Sequence, residues 1–254
     1  MFGHEDKIKL FKKLVQNKNL GQAYLFFGDA EIGKFYFARH LAYYLEYGRF
    51  EILDEPLIDV GFFLPDEKGV VGIDTARAIK NFLSETPFRS PRRLAIINDA
   101  ENLTSEAQSS LLKIVEEPPR SAMLIFIAHD PKVLFPPLLS RLAKIYFSRL
   151  TTGEIERILV GTYKVSAVQA GKIADVSFGR IGRALGLFQG SAEREVPGGL
   201  INEIEEEILA LYQKDPIKNS GIISWLLERE TALRRFNLNE NLQAKVVQNK
   251  LHKS

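Results

Sequence analysis

The chain has 254 residues, of which 45% are hydrophobic and 26% charged, and this ordinary globular composition argues against disorder and fibrous repeats. At about 150 residues per domain, the length predicts between one and two domains. The absence of cysteine excludes disulfides, thiolate chemistry and cysteine-ligated zinc. Basic residues exceed acidic residues by two (34 − 32), a balance that does not by itself predict nucleic-acid binding.

The sequence has no features of a membrane or secreted protein. No apolar run approaches the roughly 18 residues that cross a bilayer, and residues 1–6 have neither the basic nor the apolar region of a signal peptide. We therefore expect a cytoplasmic protein with no membrane partner. We also expect no bound metal, because the four histidines lack metal-ligand spacing: they are His4, His40, His129 and His252.

The first 150 residues alternate short apolar runs with amphipathic stretches. Continuous apolar runs predict strands at 23–27, 94–97, 123–128 and 145–147, with a weaker one at 57–62. Apolar residues at three- and four-residue spacing predict helices at 33–46, 75–84 and 105–115, the last of them capped at Thr104 or Ser105. This alternation predicts an α/β domain over residues 1–150, with a mainly parallel sheet and helices on both faces.

Beyond Arg149 the pattern becomes helical. Residues 151–190 predict a small helical domain that begins with a cap at Thr151, with further helices at 167–176 and 182–188. The remaining residues, 191–254, predict a short helical segment made of an acidic-faced helix at 200–212 and a helical tail at 220–253 that is weakly interrupted near 237–239.

Residues 28–35, GDAEIGKF, match most of the phosphate-binding P-loop pattern between a strand and a helix. Gly28 and Gly33 would let the backbone surround phosphates, and Lys34 would reach them. However, Phe35 replaces the hydroxyl that binds Mg²⁺. Glu31 adds a carboxylate, and two like charges ~4 Å apart repel by roughly 4 kcal/mol at an effective dielectric of 20. We predict a P-loop-shaped turn that does not use Mg-ATP, with residual nucleotide binding as the alternative.

The strand at 94–97 leads into Asn98 and Asp99. A P-loop NTPase needs one carboxylate here for the Mg²⁺ site and a second to position the attacking water. Asn98 stands at the first place and is a poor metal partner, whereas Asp99 keeps the second. We therefore expect no ATP hydrolysis by this chain and no required cofactor.

Four segments resemble motifs of the AAA+ subunits of bacterial clamp loaders. Residues 111–119, LLKIVEEPP, resemble the LLKx[LV]EEPP signature, and residues 22–28, QAYLFFG, resemble the HAYLFxG lead into the P-loop. Residues 138–142, LLSRL, resemble the SRC box with leucine in place of cysteine, and residues 179–185, GRIGRAL, resemble the GSIGRAL lid motif. The resemblance implies an AAA+ P-loop domain at 1–150, a lid at 151–190 and a shortened collar-like segment at 191–254. The four-cysteine zinc module common in the family is absent.

Within this family the chain is most similar to the delta-prime subunits of DNA polymerase III, in which the nucleotide-site motifs often decay. The resemblance implies a non-catalytic stator in a hetero-oligomeric ring, with Arg141 of the Ser140–Arg141 pair acting as an arginine finger on a neighbour's ATP. A planar, permanently charged guanidinium suits that role. An isolated arginine there would otherwise be an ordinary surface residue. Gly182 falls where active motors carry a sensor-2 arginine, and His129 either caps a turn or senses nucleotide.

The implied partners are the clamp-loader motor and delta subunits and, through the complex, primer-template DNA and the sliding clamp. Residues 118–150 carry a net charge of about +4, which fits phosphate contacts or an ordinary solvated face. A second basic cluster contains Arg89, Arg92 and Arg93. Two alternatives remain: an active AAA+ clamp-loader motor ATPase, and a stand-alone DNA-binding adaptor outside any ring.

Overall fold

The computed structural model describes residues 3–189, 199–235 and 240–251. The chain divides into two compact units, Met1–Phe188 and Gln189–Ser254. Each unit has its own buried apolar core, so each is described by itself.

The first unit is built on a five-stranded, fully parallel sheet with the order β2-β3-β4-β1-β5. The strands are β1 (Ala23–Phe27), β2 (Val60–Phe63), β3 (Arg93–Ile97), β4 (Ala122–Ala128) and β5 (Ala143–Tyr146). The three central strands are almost entirely buried, as their continuous apolar sequences predict. The predicted parallel α/β fold is confirmed.

Helices cover both faces of this sheet. They are α1 (Glu5–Gln16), α2 (Lys34–Tyr47), α3 (Ile73–Ser84), α4 (Ser105–Glu116) and the short α5 (Pro136–Leu139). Alternate residues of β4 enter two separate cores: Leu124 and Phe126 pack with α3 and α4, whereas Ile125 and Ile127 pack with α1 and α2. The two-sided burial follows from the period-two alternation of side chains along a strand.

Several details differ from the sequence predictions: β2 covers Val60–Phe63 rather than 57–62, and the short α5 was not predicted. Helix α1 was not predicted, although its fully buried Phe11 packs against the rings of Tyr24, Phe26 and Phe37. Strand β5 covers 143–146 rather than the predicted 145–147. The shift has a physical reason: β5 is an edge strand, and its pairing with β1 begins at the exposed Ala143, which an apolar pattern does not reveal.

Three helices complete the first unit: α6 (Thr152–Tyr163), α7 (Ala167–Val176) and α8 (Ile181–Phe188). The predicted cap is confirmed, because the Thr151 side chain accepts a hydrogen bond from the Glu154 N–H and the Glu154 carboxylate accepts one from the Thr151 N–H. These helices enclose a small core of their own around Leu159 and Ala170.

The second unit contains α9 (Gly199–Lys214), α10 (Ser220–Arg235) and α11 (Glu240–Leu251), packed around Ile204 and Leu226. The interruption predicted near 237–239 lies outside the described residues. In the described part of the chain beyond Tyr146, no strand occurs. The division into domains at 150 and 190 stays a prediction.

Candidate functional site

A cavity of about 560 Å³ lies at the carboxyl end of the sheet, between the P-loop and α8. Ligand sites of open α/β sheets are found at this end of the strands. Several of the residues singled out from the sequence line this cavity: Glu31, Gly33, Lys34, Phe35, Asn98, Asp99, His129 and Gly182.

The P-loop has a conformation that two of its glycines make possible. Gly28 has a φ of 134° and Gly33 a φ of 95°, both in the region that favours glycine. A side chain at Gly28 would place its Cβ 2.2 Å from the carbonyl oxygen of Phe147, so only glycine fits there. The predicted loop shape is therefore present.

The P-loop lysine is bound by its own loop. Lys34 is 7% exposed, and its Nζ donates to the carbonyl oxygens of Gly28 at 2.6 Å and Asp29 at 2.5 Å. Burial lowers the pKa of Lys34 to about 8, against the opposing pull of the nearby carboxylates of Glu101, Asp29 and Asp99. A bound phosphate would have to compete with these carbonyls for the ammonium group.

The sequence analysis predicts that Phe35 and Asn98 stand at the two places where Mg²⁺ chemistry needs oxygen ligands. The ring of Phe35 packs against the ring of Phe62 with 5.7 Å between centroids, and it is partly buried against the core that α1 and α2 cover. Asn98 donates from Nδ2 to Oδ2 of Asp99 at 2.8 Å. Neither side chain offers the hydroxyl or carboxylate that hard cations prefer.

A second acid in the cavity was not assigned a role from the sequence. Glu101, on the 3₁₀ turn after β3, has its Oε1 in contact with Nδ1 of His129 after β4. Burial raises the pKa of Asp99, and the charge of Glu101 adds to this effect. His129 is not the cap of the following turn, because the Asp130 side chain accepts the hydrogen bond from Lys132 N–H.

Helices α6 to α8, which the sequence analysis predicts as a lid, are joined to the P-loop through α8. The N–H of Gly182 donates to the carbonyl oxygen of Glu31 at 2.8 Å, and Glu31 has a φ of 60°. A Cβ at position 182 would lie 2.8 Å from Cβ of Glu31. A sensor-2 arginine at position 182 therefore does not fit this arrangement of loop and lid without a shift of Glu31.

An ion pair on the other side of the P-loop was missed by sequence reasoning. Nε of Arg149 lies 2.5 Å from Oδ2 of Asp29, and Nη1 of Arg149 donates to the Phe178 carbonyl at 3.4 Å. The next residue, Leu150, donates its N–H to the Gly179 carbonyl at 2.9 Å. No local pattern could reveal the Asp29–Arg149 pair, because 120 residues separate the two.

Arg141 and Ser140 lie apart from this cavity, directly after α5, and neither is among the residues that line it. The neighbouring Leu138 and Leu142 are buried, so the backbone is anchored on both sides of the exposed pair. The Ser140 hydroxyl donates to the carbonyl of Pro137 at 2.9 Å, which leaves its side chain engaged within the turn.

The Arg141 guanidinium is held by its own chain. Its Nη1 donates to the Pro137 carbonyl at 2.7 Å, and its Nη2 lies 2.7 Å from Oε1 of Glu116, the last residue of α4. The side chain is nevertheless 40% exposed. The LLKIVEEPP and SR segments, separate motifs in the sequence, are thus neighbours in space.

The basic cluster before β3 is engaged within the fold. Arg93 pairs with the buried Asp59 at 3.2 Å and also with Glu85. The guanidinium of Arg89 lies 4.7 Å from the centre of the Tyr47 ring. Arg92 donates to backbone carbonyls, those of Leu20 and Arg120. These contacts give the three arginines a structural role, and DNA contact through them stays a prediction.

The described residues contain no cluster of three or more histidine and acidic side chains that could hold a metal ion. Within the same described ranges, no helix is both long and apolar enough to span a membrane. The sequence expectations about cofactors stay predictions.

Comparison with known proteins supplies the family context for this site. The family model described as "DNA polymerase III, delta subunit" matches residues 3–151. DNA polymerase III subunit delta' of Bacillus subtilis is 30% identical over 167 residues, which cover 60% of this chain and 50% of that protein. A replication factor C small subunit of Methanosarcina acetivorans is 27% identical over 247 residues, covering 94% of this chain and 70% of that protein.

Solved structures support the fold at low sequence identity. A DNA polymerase III gamma subunit-related protein of Thermotoga maritima has a TM-score of 0.51 at 17% identity, covering 93% of this chain and 96% of that one. The RuvB Holliday junction branch migration motor of the same organism has a TM-score of 0.53 at 15% identity, covering 89% and 69%. The chain spans about half the length of the B. subtilis relative.

Proposed function

The chain belongs to the DNA polymerase III delta subunit family of clamp-loader proteins, and from this premise we propose that it is a non-catalytic stator subunit of a clamp loader. In this role it hydrolyses no ATP itself. Instead it presents Arg141 as an arginine finger to the ATP held by a neighbouring motor subunit during sliding-clamp loading in DNA replication.

The observation that carries this proposal is that the cavity at the P-loop and the exposed Arg141 lie apart from each other. The cavity at the P-loop has Phe35 and Asn98 where a metal needs oxygen ligands, and Lys34 is bound to the loop's own carbonyls. These features support a chain that does not use Mg-ATP. No bound zinc or other required cofactor belongs to the proposal.

The second part of the proposal concerns Arg141, the group that this chain offers to its neighbour. Its side chain is 40% exposed and lies outside the cavity, so it is available to another chain but not to a nucleotide bound in this one. A positioned arginine that neutralises charge on the transferred phosphoryl group is worth 10³–10⁵ in rate in well-studied cases, of order a thousandfold or more. Ser140 supports the turn that carries Arg141.

The proposed partners follow from the family. They are clamp-loader motor and delta subunits in a hetero-oligomeric ring, with primer-template DNA and the sliding clamp contacted through the complex. A cytoplasmic location is part of the same proposal. The basic residues between 118 and 150 are proposed to add salt-dependent attraction to DNA phosphates.

The test is reconstitution of the full chain with the motor and delta subunits of its own organism. Co-elution on size exclusion checks ring membership, and steady-state ATPase activity with DNA and clamp checks the arginine finger. Arg141→Ala is expected to lower this activity while the chain still co-elutes. Arg157→Ala, at an exposed arginine of α6 outside the basic segment, is the matched control. A chain that fails to co-elute, or full activity in the Arg141→Ala assembly, overturns the proposal.

A further inference from the structure

We propose that Glu116 is a positioning residue for Arg141, an inference that rests on the proposed arginine-finger function. Glu116 is the last residue of α4 and belongs to the LLKIVEEPP segment. The proposed function assigns no role to this segment. Its Oε1 lies 2.7 Å from Nη2 of Arg141, across 25 residues of sequence that include β4 and α5.

The position of Glu116 is not explained by the stability of its helix. The carboxyl end of a helix carries partial negative charge, so an acidic side chain in the last turn is electrostatically unfavourable. The carboxylate of Glu116 finds its positive partner on the separate turn that follows α5. The pair therefore serves the arginine on that turn rather than α4.

The geometry holds the guanidinium while leaving part of it free to bind. Arginine has five N–H donors. Two on Nη1 point to the Pro137 carbonyl at 2.7 Å and to the Ser140 hydroxyl at 3.3 Å, and one on Nη2 points to Glu116. One N–H on Nη2 and the one on Nε remain for an acceptor on another molecule.

Holding a long side chain in one orientation lowers the entropy lost when it meets a partner. The rotamer entropy of an arginine side chain is worth about 2 kcal/mol, and a guanidinium that is already oriented loses less of this entropy on binding. Glu116 therefore acts before the neighbour's ATP arrives. It holds the guanidinium in one orientation and does not touch the nucleotide.

The chain supplies a matched control in the adjacent residue. Glu117 is also exposed, follows the same helix and has the same charge, but it has no ion pair among the described residues. In the reconstituted full assembly, Glu116→Gln is expected to lower kcat of ATP hydrolysis by about 3- to 10-fold with KM for ATP unchanged. Glu117→Gln is expected to leave both within twofold.

A double-mutant cycle separates positioning from a structural role. In the Arg141→Ala background, Glu116→Gln should cause no further loss of kcat. A normal Glu116→Gln assembly, or an equal loss with and without Arg141, overturns the positioning role while the arginine finger stands. An Arg141→Ala assembly with full activity overturns the proposed function and this inference together. Co-elution of every variant verifies that a loss of activity reflects chemistry rather than folding.

Discussion

The backbone N–H of Gly182, in the first turn of α8, donates to the carbonyl oxygen of Glu31 in the P-loop at 2.8 Å. This hydrogen bond joins α8, and with it the small core that α6 to α8 enclose, directly to the P-loop.

The first prediction concerns the space at Gly182. Gly182→Ala should destabilise the first unit by roughly 1–3 kcal/mol, because the added Cβ would lie 2.8 Å from Cβ of Glu31. Urea unfolding measures the change. Gly153→Ala in α6 is the control: its Cβ would meet nothing within 4 Å, so it should be neutral or stabilising by about 1 kcal/mol. Equal stability of the two variants would contradict the tight approach of loop and lid.

The second prediction concerns Lys34. Lys34→Ala should leave the ATPase activity of the reconstituted assembly within about twofold of normal, because the ammonium binds the carbonyls of Gly28 and Asp29 rather than a phosphate that is turned over. Arg141→Ala, measured in parallel, should lower it. Calorimetry of the chain alone should detect no Mg²⁺-dependent ATP binding tighter than about 1 mM, roughly 4 kcal/mol. Tight Mg²⁺-dependent binding would instead favour an active motor.

The third prediction concerns the buried Asp59, which holds the loop before β3. Its carboxylate accepts the N–H groups of Phe88 at 2.7 Å, Arg89 at 2.6 Å and Ser90 at 2.7 Å, in addition to the Arg93 ion pair. Asp59→Asn should cost roughly 3–5 kcal/mol of stability, because the Arg93 guanidinium loses the buried one of its two charged partners. The exposed Asp54→Asn is the control, expected to change stability by less than about 0.5 kcal/mol.

Acid should weaken the same contact. Burial alone would raise the pKa of Asp59, but the N–H groups of Ser90, Phe88 and Arg89 and the Arg93 guanidinium together hold the pKa below its usual value. A lowered pKa in the folded state stabilises the fold at pH values above about 4 and stops doing so as pH falls through the folded-state value. Thermal unfolding between pH 7 and 3 should therefore show a smaller acid-dependent loss in Asp59→Asn. An identical pH profile would contradict this role.

The parts of the fold that follow from local sequence were predictable. Strands β1, β3 and β4 are continuous apolar runs, and α4 begins after the cap at Thr104, whose side chain accepts from Ala107 N–H. These signals depend on residues close together in the chain. The P-loop shape was predictable for the same reason, since its two glycines and lysine lie within seven residues.

The long-range contacts around the candidate site were not predictable from the sequence. The Asp29–Arg149, Glu31–Gly182 and Glu116–Arg141 contacts each join segments far apart in sequence, and each side chain on its own looks like an ordinary surface charge or small residue. Strand order likewise depends on which runs pair across the sheet rather than on the runs themselves. Only the folded chain brings these residues together.

Residues 149 and 150 join the sheet to helices α6 to α8, and between them they bond to the P-loop on one side and to the residues before α8 on the other. Arg149 pairs with Asp29 of the P-loop, while the Leu150 N–H binds the Gly179 carbonyl just before α8. Bending at this connection would have to break the Arg149 ion pair or the Leu150 hydrogen bond. While both contacts hold, a molecule that binds helices α6 to α8 also sets the orientation of the sheet. It thereby sets the orientation of the turn after α5.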